Sequence, residues 1–159
     1  MAIIGSDFHG NRKKLDKFLN YKPDKEHVFA GDAVDSYYES HESQLKVLKT
    51  LVEDTDCILI YGNHELAYIP KFNMPCSGNH YFGREYFPEL LKSPKWKVAW
   101  VADTYLITHA GVSTRHASKK RTANSIAKFI TEKFSDRSSD VWDIGPCIVT
   151  GKQIGRAHV

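Results

Sequence analysis

The sequence predicts an α/β domain organised around a parallel sheet, on two observations. Short apolar runs alternate with segments of helical periodicity, which is the rhythm of right-handed βαβ crossovers. Four of those runs are followed at once by Gly, Asp, Asn or His. Such residues collect where ligands bind, outside the carboxyl ends of the strands of an open α/β sheet. Ile3-Ile4-Gly5-Ser6 leads into Asp7-Phe8-His9-Gly10-Asn11, and Val28-Phe29-Ala30 into Gly31-Asp32-Ala33-Val34-Asp35. Cys57-Ile58-Leu59-Ile60-Tyr61 leads into Gly62-Asn63-His64-Glu65, and Tyr105-Leu106-Ile107-Thr108 into His109-Ala110-Gly111.

Taken in order, residues 2–6 read as a short buried strand. Gly10-Asn11 turns into a helix over residues 12–20, with Leu15, Phe18 and Leu19 as its apolar stripe. Residues 21–26, holding Pro23, form a loop before the second strand at 28–30. A surface loop over 36–43 precedes an amphipathic helix over 44–53 through Leu45, Leu48, Leu51 and Val52. Residues 57–61 are the third parallel strand. The stretch 66–92 carries Pro70, Pro75, Gly78, Gly83 and Pro88 and reads as a long loop with short helices over the site. Residues 97–102 and 104–108 form an antiparallel pair with Asp103 at the turn. A helix over 119–134 places Ile126, Phe129, Ile130 and Phe134 on one face, and Ile148 and Val149 begin a last strand.

Composition narrows the class. The 159 residues suit one domain, over residues 1–153, by the usual prior of roughly 100–200 residues per domain. Residues 154–159 match one reading frame of a common sequencing adapter and are read as a non-native tail, so His158 is set aside. A net charge of +3 is too mild to call for nucleic acid. No apolar run approaches the roughly 20 residues of a spanning helix, and no signal segment precedes the first strand. The three cysteines, Cys57, Cys76 and Cys147, are scattered, which argues against a disulfide framework or zinc knuckle and for a reducing cytoplasm.

The strand-end residues carry the chemistry. Asp7 and His9, two apart at a strand end, can serve one ion. Two divalent ions held about 3.5–4 Å apart polarise a phosphoryl group and generate a bridging hydroxide. One carboxylate must then touch both ions, and Asp32 fits that place. Asp7 and His9 complete the protein ligands of the first ion; Asn63 and His109 serve the second. Carboxylate, imidazole and amide donors without thiolate suit Mn²⁺, Fe or Zn²⁺. The neutral Asn63 ligand keeps the centre cationic toward a phosphate dianion. His64 reaches the same pocket as general acid, with Asp35 holding its second ring nitrogen. Glu65 reads as a structural hydrogen-bonding partner. His27, His41, His80 and His116 read as solvated or loop residues, and the run Arg115, His116, Lys119, Lys120, Arg121 as a solvated basic face.

In this order, D-x-H-G, G-D-x-V-D, G-N-H-E and H-A-G resemble the motifs of the calcineurin-like metallophosphoesterases. The G-N-H-E and H-A-G forms resemble the serine/threonine protein phosphatase branch with its bacteriophage-type members. The likeness spans residues 3–113, about two thirds of the chain. It implies a four-layer αββα sandwich and two divalent metal ions, Mn²⁺ foremost. It makes Asp7, His9, Asp32, Asn63 and His109 the metal ligands, and His64 with Asp35 the acid pair. The implied activity is hydrolysis of a phosphorylated protein or a nucleotide-type phosphoester, with no membrane or nucleic-acid partner. Two positions depart from the pattern. Ser36-Tyr37 stand where the branch carries Arg-Gly, whose guanidinium grips phosphate as a fork; Arg84 and Arg115 are the candidate replacements. Lys152, after Ile148-Val149-Thr150-Gly151, stands where the family supplies a last histidine ligand, so the chain reads as C-terminally incomplete. These departures motivate the alternative of a truncated or degenerate member that binds metal or a partner without turnover.

Overall fold

A computed structural model of the chain describes residues 1–70, 72, 76, 78, 81–112 and 122–136. Strands β1 (Ile3–Gly5), β2 (His27–Phe29), β3 (Ile58–Ile60) and β4 (Trp96–Lys97) form a parallel sheet in that spatial order. Ile4 sits opposite Val28, Val28 opposite Ile58, and Leu59 opposite Trp96. Between these strands run α1 (Arg12–Asn20), α2 (His41–Lys49), the single turn α3 (Asn63–Leu66) and α4 (Tyr81–Leu90). Strands β5 (Trp100–Ala102) and β6 (Tyr105–Ile107) then pair antiparallel, and α5 (Ala123–Asp136) packs on that ribbon.

The period-2 alternation of strand side chains sorts the core into layers. Phe29 and Leu59 point to one face and join Leu15, Phe18, Val47, Leu48, Leu51 and Phe87 beneath the helices. Their neighbours Val28 and Ile60 point to the other face and meet Ala102 and Ile107 of the ribbon. Beyond the ribbon, Val98 and Ala99 pack with Ile126 and Ile130 of α5. Helices, sheet, ribbon and helix stack as the expected αββα sandwich. Among the described residues no helix is long and apolar enough to cross a membrane.

Helix α1 has the bounds its apolar stripe predicts, because Asn11 caps it by accepting the Lys14 amide at 3.0 Å. Elsewhere local capping and packing moved the boundaries. Helix α2 starts at His41 rather than residue 44, since Ser40 Oγ accepts the Ser43 amide at 3.1 Å and caps it. It continues into a π-helical turn, Thr50–Asp54. The strand expected over 97–102 is two strands: Trp96–Lys97 stays in the parallel sheet, and Trp100–Ala102 belongs to the ribbon. The buried pair Val98 and Ala99 carries the chain from one sheet to the other. The stretch 66–92, expected as a loop with short helices, holds the ten-residue α4 with Phe87 in the core. Its Gly83 is where the Tyr68 ring lies against the helix, so closely that a Cβ there would overlap the ring. The helix expected over 119–134 is described from Ala123; residues 119–121, the strand at Ile148-Val149 and the 154–159 tail lie outside the described residues.

Leu59 is fully buried between the helices and the parallel sheet, so Leu59→Ala should cost about 2–5 kcal/mol in urea unfolding. Ile4, 55% exposed on the edge strand β1, should cost under about 1 kcal/mol as Ile4→Ala. Equal costs would contradict this layer assignment.

Candidate metal centre

The first two strand ends remain joined after their ladder stops. Asp7 N donates to Gly31 O at 2.9 Å, His9 N to Asp32 O at 3.0 Å and Gly10 N to Ala33 O at 2.7 Å. This pairing draws Asp7, His9 and Asp32 to one place. The described chain has six non-glycine residues with positive φ, and four are predicted site residues: Asp7 (57°), His9 (45°), Asp32 (65°) and Asp35 (63°). Such backbone costs of order 1–3 kcal/mol per residue and persists only where the surroundings over-determine it. Gly31, at φ 91°, is required for a separate reason: a Cβ there would lie 2.6 Å from His109 Nδ1 and 2.8 Å from Gly62 Cα. The ends of β2, β3 and β6 close on each other only because that side chain is absent.

Glu65 holds the loops from below. Fully buried, its carboxylate accepts the amides of Asp32 (2.8 Å), Ala33 (2.7 Å) and Gly62 (2.8 Å). Burial and the nearby Asp32 charge raise its pKa, while the three amides oppose that rise. One carboxylate thus ties the loop after β2 to the loop after β3, a structural role of the kind its sequence context suggested.

Above it the predicted ligands converge. His9 Nδ1 donates to Val34 O at 2.9 Å and His109 Nδ1 to Ala30 O at 2.8 Å. A carbonyl can only accept, so both rings are fixed with Nε2 facing the site. His109 Nε2 lies 3.3 Å from Asp32 Oδ2 and 3.1 Å from Asn63 Oδ1. Asn63 Nδ2 donates to Cys76 Sγ at 3.1 Å, which keeps the amide oxygen turned toward His109. An imidazole lone pair, a carboxylate oxygen and an amide oxygen thus point at one another, an arrangement that needs a cation between them. A proton on His109 supplies it in the metal-free chain: burial pulls this pKa down, but the Asp32 hydrogen bond and charge lift it to about 9. The donor set equally fits a divalent ion of the Mn, Fe or Zn type. His9, Asp32 and His64 bring ligand atoms within 4.8 Å of one another, and Asp7 Oδ1 lies 3.9 Å from His9 Nε2.

His64 Nδ1 lies 3.0 Å from Asp35 Oδ2, and its Nε2 3.9 Å from Asp32 Oδ2. Asp35 is itself fixed: Tyr68 OH donates to its Oδ1, and its amide donates to Gln44 Oε1 at 2.9 Å. Burial pulls His64 down, but the Asp35 hydrogen bond, the contact with Cys76 and the Asp32 charge together lift it to about 11. Burial pushes Asp32 up, yet His109 and His64 hold it below the usual carboxylate range. All seven predicted site residues therefore meet in one cluster. Gln44, Tyr68 and Cys76 support it without having been singled out in the sequence. They meet the site only through folding, and no spacing marked them.

A cavity of about 470 Å³ opens beside His9 and His64, lined also by Phe8, Asn11, Lys14, Asp35, Ser36, Tyr37, Tyr38 and Glu39. Ser36 Oγ accepts the amides of Tyr38 and Glu39, closing a turn that leaves both tyrosines exposed. Lys14 Nζ donates to Asp7 O at 2.8 Å and is the cationic side chain of this wall. Arg84 is exposed on α4 and is not among the residues lining this cavity. Arg115, the basic run and Lys152 lie outside the described residues.

Strand ends that gather imidazole, carboxylate and amide oxygen around one aspartate in an αββα sandwich are the arrangement of a metallophosphoesterase-type domain. The chain belongs to the calcineurin-like phosphoesterase family, whose model matches residues 3–148. Among solved structures it is similar to a crystal structure of a point mutant of a cold-active protein tyrosine phosphatase, at 15% identity and a TM-score of 0.56. The match covers 91% of this chain and 55% of that one, so this chain spans about half the length of its structural relative. At that identity the likeness speaks for the fold. No curated protein matches the sequence.

Two outcomes follow from this geometry. Glu65→Ala strands three buried amides, each costing about 1–3 kcal/mol unpaired, so urea unfolding should show a loss of at least about 3 kcal/mol. In the metal-free chain, His64 and His109 titrate above the ordinary 6.5. Their stabilising contribution is complete below pH 6.5 and is lost as pH rises through about 9 for His109 and about 11 for His64. Melting in chelator should therefore show Tm falling across this window. His64→Gln should flatten its upper part; an unchanged slope would contradict the assignment.

Proposed function

We propose that this chain hydrolyses phosphate monoesters with two divalent metal ions held at Asp32. The observation that carries the reading is the convergence of His109 Nε2, Asp32 Oδ2 and Asn63 Oδ1 on a point that demands a cation. Asp7, His9 and Asp32 would hold one ion, and Asp32, Asn63 and His109 the other, with Mn²⁺ best suited and Fe or Zn²⁺ acceptable to the same donors. Bound there, the ions would supply Lewis acidity toward the phosphoryl oxygens and would activate the attacking water at neutral pH.

The remaining steps belong to the chain. His64, protonated at neutral pH and aimed into the cavity, gives its Nε2 proton to the leaving-group oxygen. Asp35 keeps the Nδ1 proton and stabilises the imidazolium, while Tyr68 and Gln44 hold Asp35 in place. Lys14 adds positive charge to the cavity wall. The motif forms favour the serine/threonine phosphatase branch, with a phosphorylated protein or a nucleotide-type ester as substrate. The free thiols Cys57 and Cys76 favour the cytoplasm. Ser36 and Lys152 favour a second reading, binding of metal or a partner without turnover.

The test is hydrolysis of 4-nitrophenyl phosphate in Mn²⁺. Activity should vanish with chelator and with Asp32→Asn. His64→Ala should lower kcat by about 10²–10⁴, and by more on an alkyl phosphate, whose leaving group needs the proton. Turnover unaffected by both substitutions would refute the mechanism, and many turnovers per mole would remove the second reading.

A further inference from the structure

A second cluster of metal-competent donors lies against the first and differs from it in containing sulfur. Cys76 Sγ, a ring nitrogen of His64 and a carboxylate oxygen of Asp35 all lie within 4.8 Å of one another. We propose that these three side chains form a site for a soft divalent cation, Zn²⁺ or Cd²⁺, whose occupation disables the catalytic acid. The inhibitory consequence rests on the role proposed for His64; the binding itself does not.

The geometry needs little adjustment. His64 Nδ1 and Asp35 Oδ2 are already 3.0 Å apart. Movements of less than about 1 Å bring the three donors to ordinary lengths, about 2.3 Å for Zn–S and 2.0–2.2 Å for Zn–N and Zn–O. The carboxylate is aimed in advance, because Tyr68 occupies Oδ1 and leaves Oδ2 facing the histidine. The sulfur is held beside them, accepting from Asn63 Nδ2 at 3.1 Å. Asp35 is fully buried and His64 nearly so, while Cys76 is partly exposed, which gives an ion its way in from solvent. Three protein donors leave a fourth tetrahedral position for water. Thiolate is what selects the ion, since the Asp32 centre offers only nitrogen and oxygen.

Binding releases the Cys76 thiol proton and the His64 Nδ1 proton to solvent, and the ion takes their place. With Nδ1 on the ion, His64 can no longer become the imidazolium that protonates a leaving group. The site is therefore an off-switch read by metals softer than Mn²⁺.

Protein loaded with Mn²⁺ and titrated with Cd²⁺ tests this through the ultraviolet Cd–thiolate charge-transfer band, to which the Asp32 centre cannot contribute. The expected result is a band saturating at one equivalent, lost in Cys76→Ser and in Cys76→Ala and retained in Cys57→Ala and Cys147→Ser. His64→Ala should weaken Cd²⁺ binding at least about tenfold. In phosphatase assays, Cys76→Ser should raise the Zn²⁺ concentration for half-inhibition by a similar factor. No band, a band surviving Cys76→Ser, or Cd²⁺ affinity indifferent to His64→Ala would overturn the site. A chain that bound Cd²⁺ this way yet hydrolysed nothing would sink the proposed activity and leave the site standing.

Discussion

The site depends on a buried carboxylate that performs no chemistry. Glu65 takes the amides of Asp32, Ala33 and Gly62 at once, and those three residues belong to two different strand ends. A charge in that position is costly in a protein interior unless donors surround it, and here three backbone donors do. Their cooperation fixes Asp32 in its left-handed backbone conformation and sets Asn63 and His64 on the first turn of α3. Without that tie, Asp32 would keep its contacts with the His9 and His64 amides and with His109 but lose the bond that fixes its own amide.

Around this anchor the donors are arranged by what each ring spends elsewhere. His9 and His109 give their Nδ1 protons to main-chain carbonyls of the loop that follows β2. His64 instead has Nδ1 on Asp35 and Nε2 facing Asp32, so it remains charged and available for proton transfer. On the proposed mechanism, two histidines are thus prepared as ligands and one as an acid by the identity of one hydrogen-bond partner each. The chemistry of the site is written in its second contacts as much as in its first.

The strand-end motifs were legible because packing alone rarely sets glycine and polar residues directly after an apolar run. Helix α1 was legible because a cap and an apolar stripe agree over nine residues. What escaped reading has a common cause. Gly83 and Pro88 look like loop residues, yet α4 forms because Tyr68 and Phe87 pack around it in the folded core. The break at Val98-Ala99 is set by the gap between two sheets, which no run of apolar residues reveals. Tyr68 reaches Asp35 across 33 positions and Asn63 reaches Cys76 across 13, so neither contact leaves a local signature.

The layering of the sandwich has a mechanical side. His109 comes from the end of the antiparallel ribbon, whereas Asp7, His9, Asp32 and Asn63 come from the ends of the parallel sheet. An ion held by both sets is a rivet through the two β layers, beside an apolar seam of modest side chains such as Val28, Ala30, Ala102 and Ile107. Prying the layers apart and ejecting the metal then become a single event, and each resists the other. On the proposed function, metal supply would set the stability of the folded chain as well as its chemistry, since a ligand at about 100 times its Kd adds about 2.7 kcal/mol to the native state.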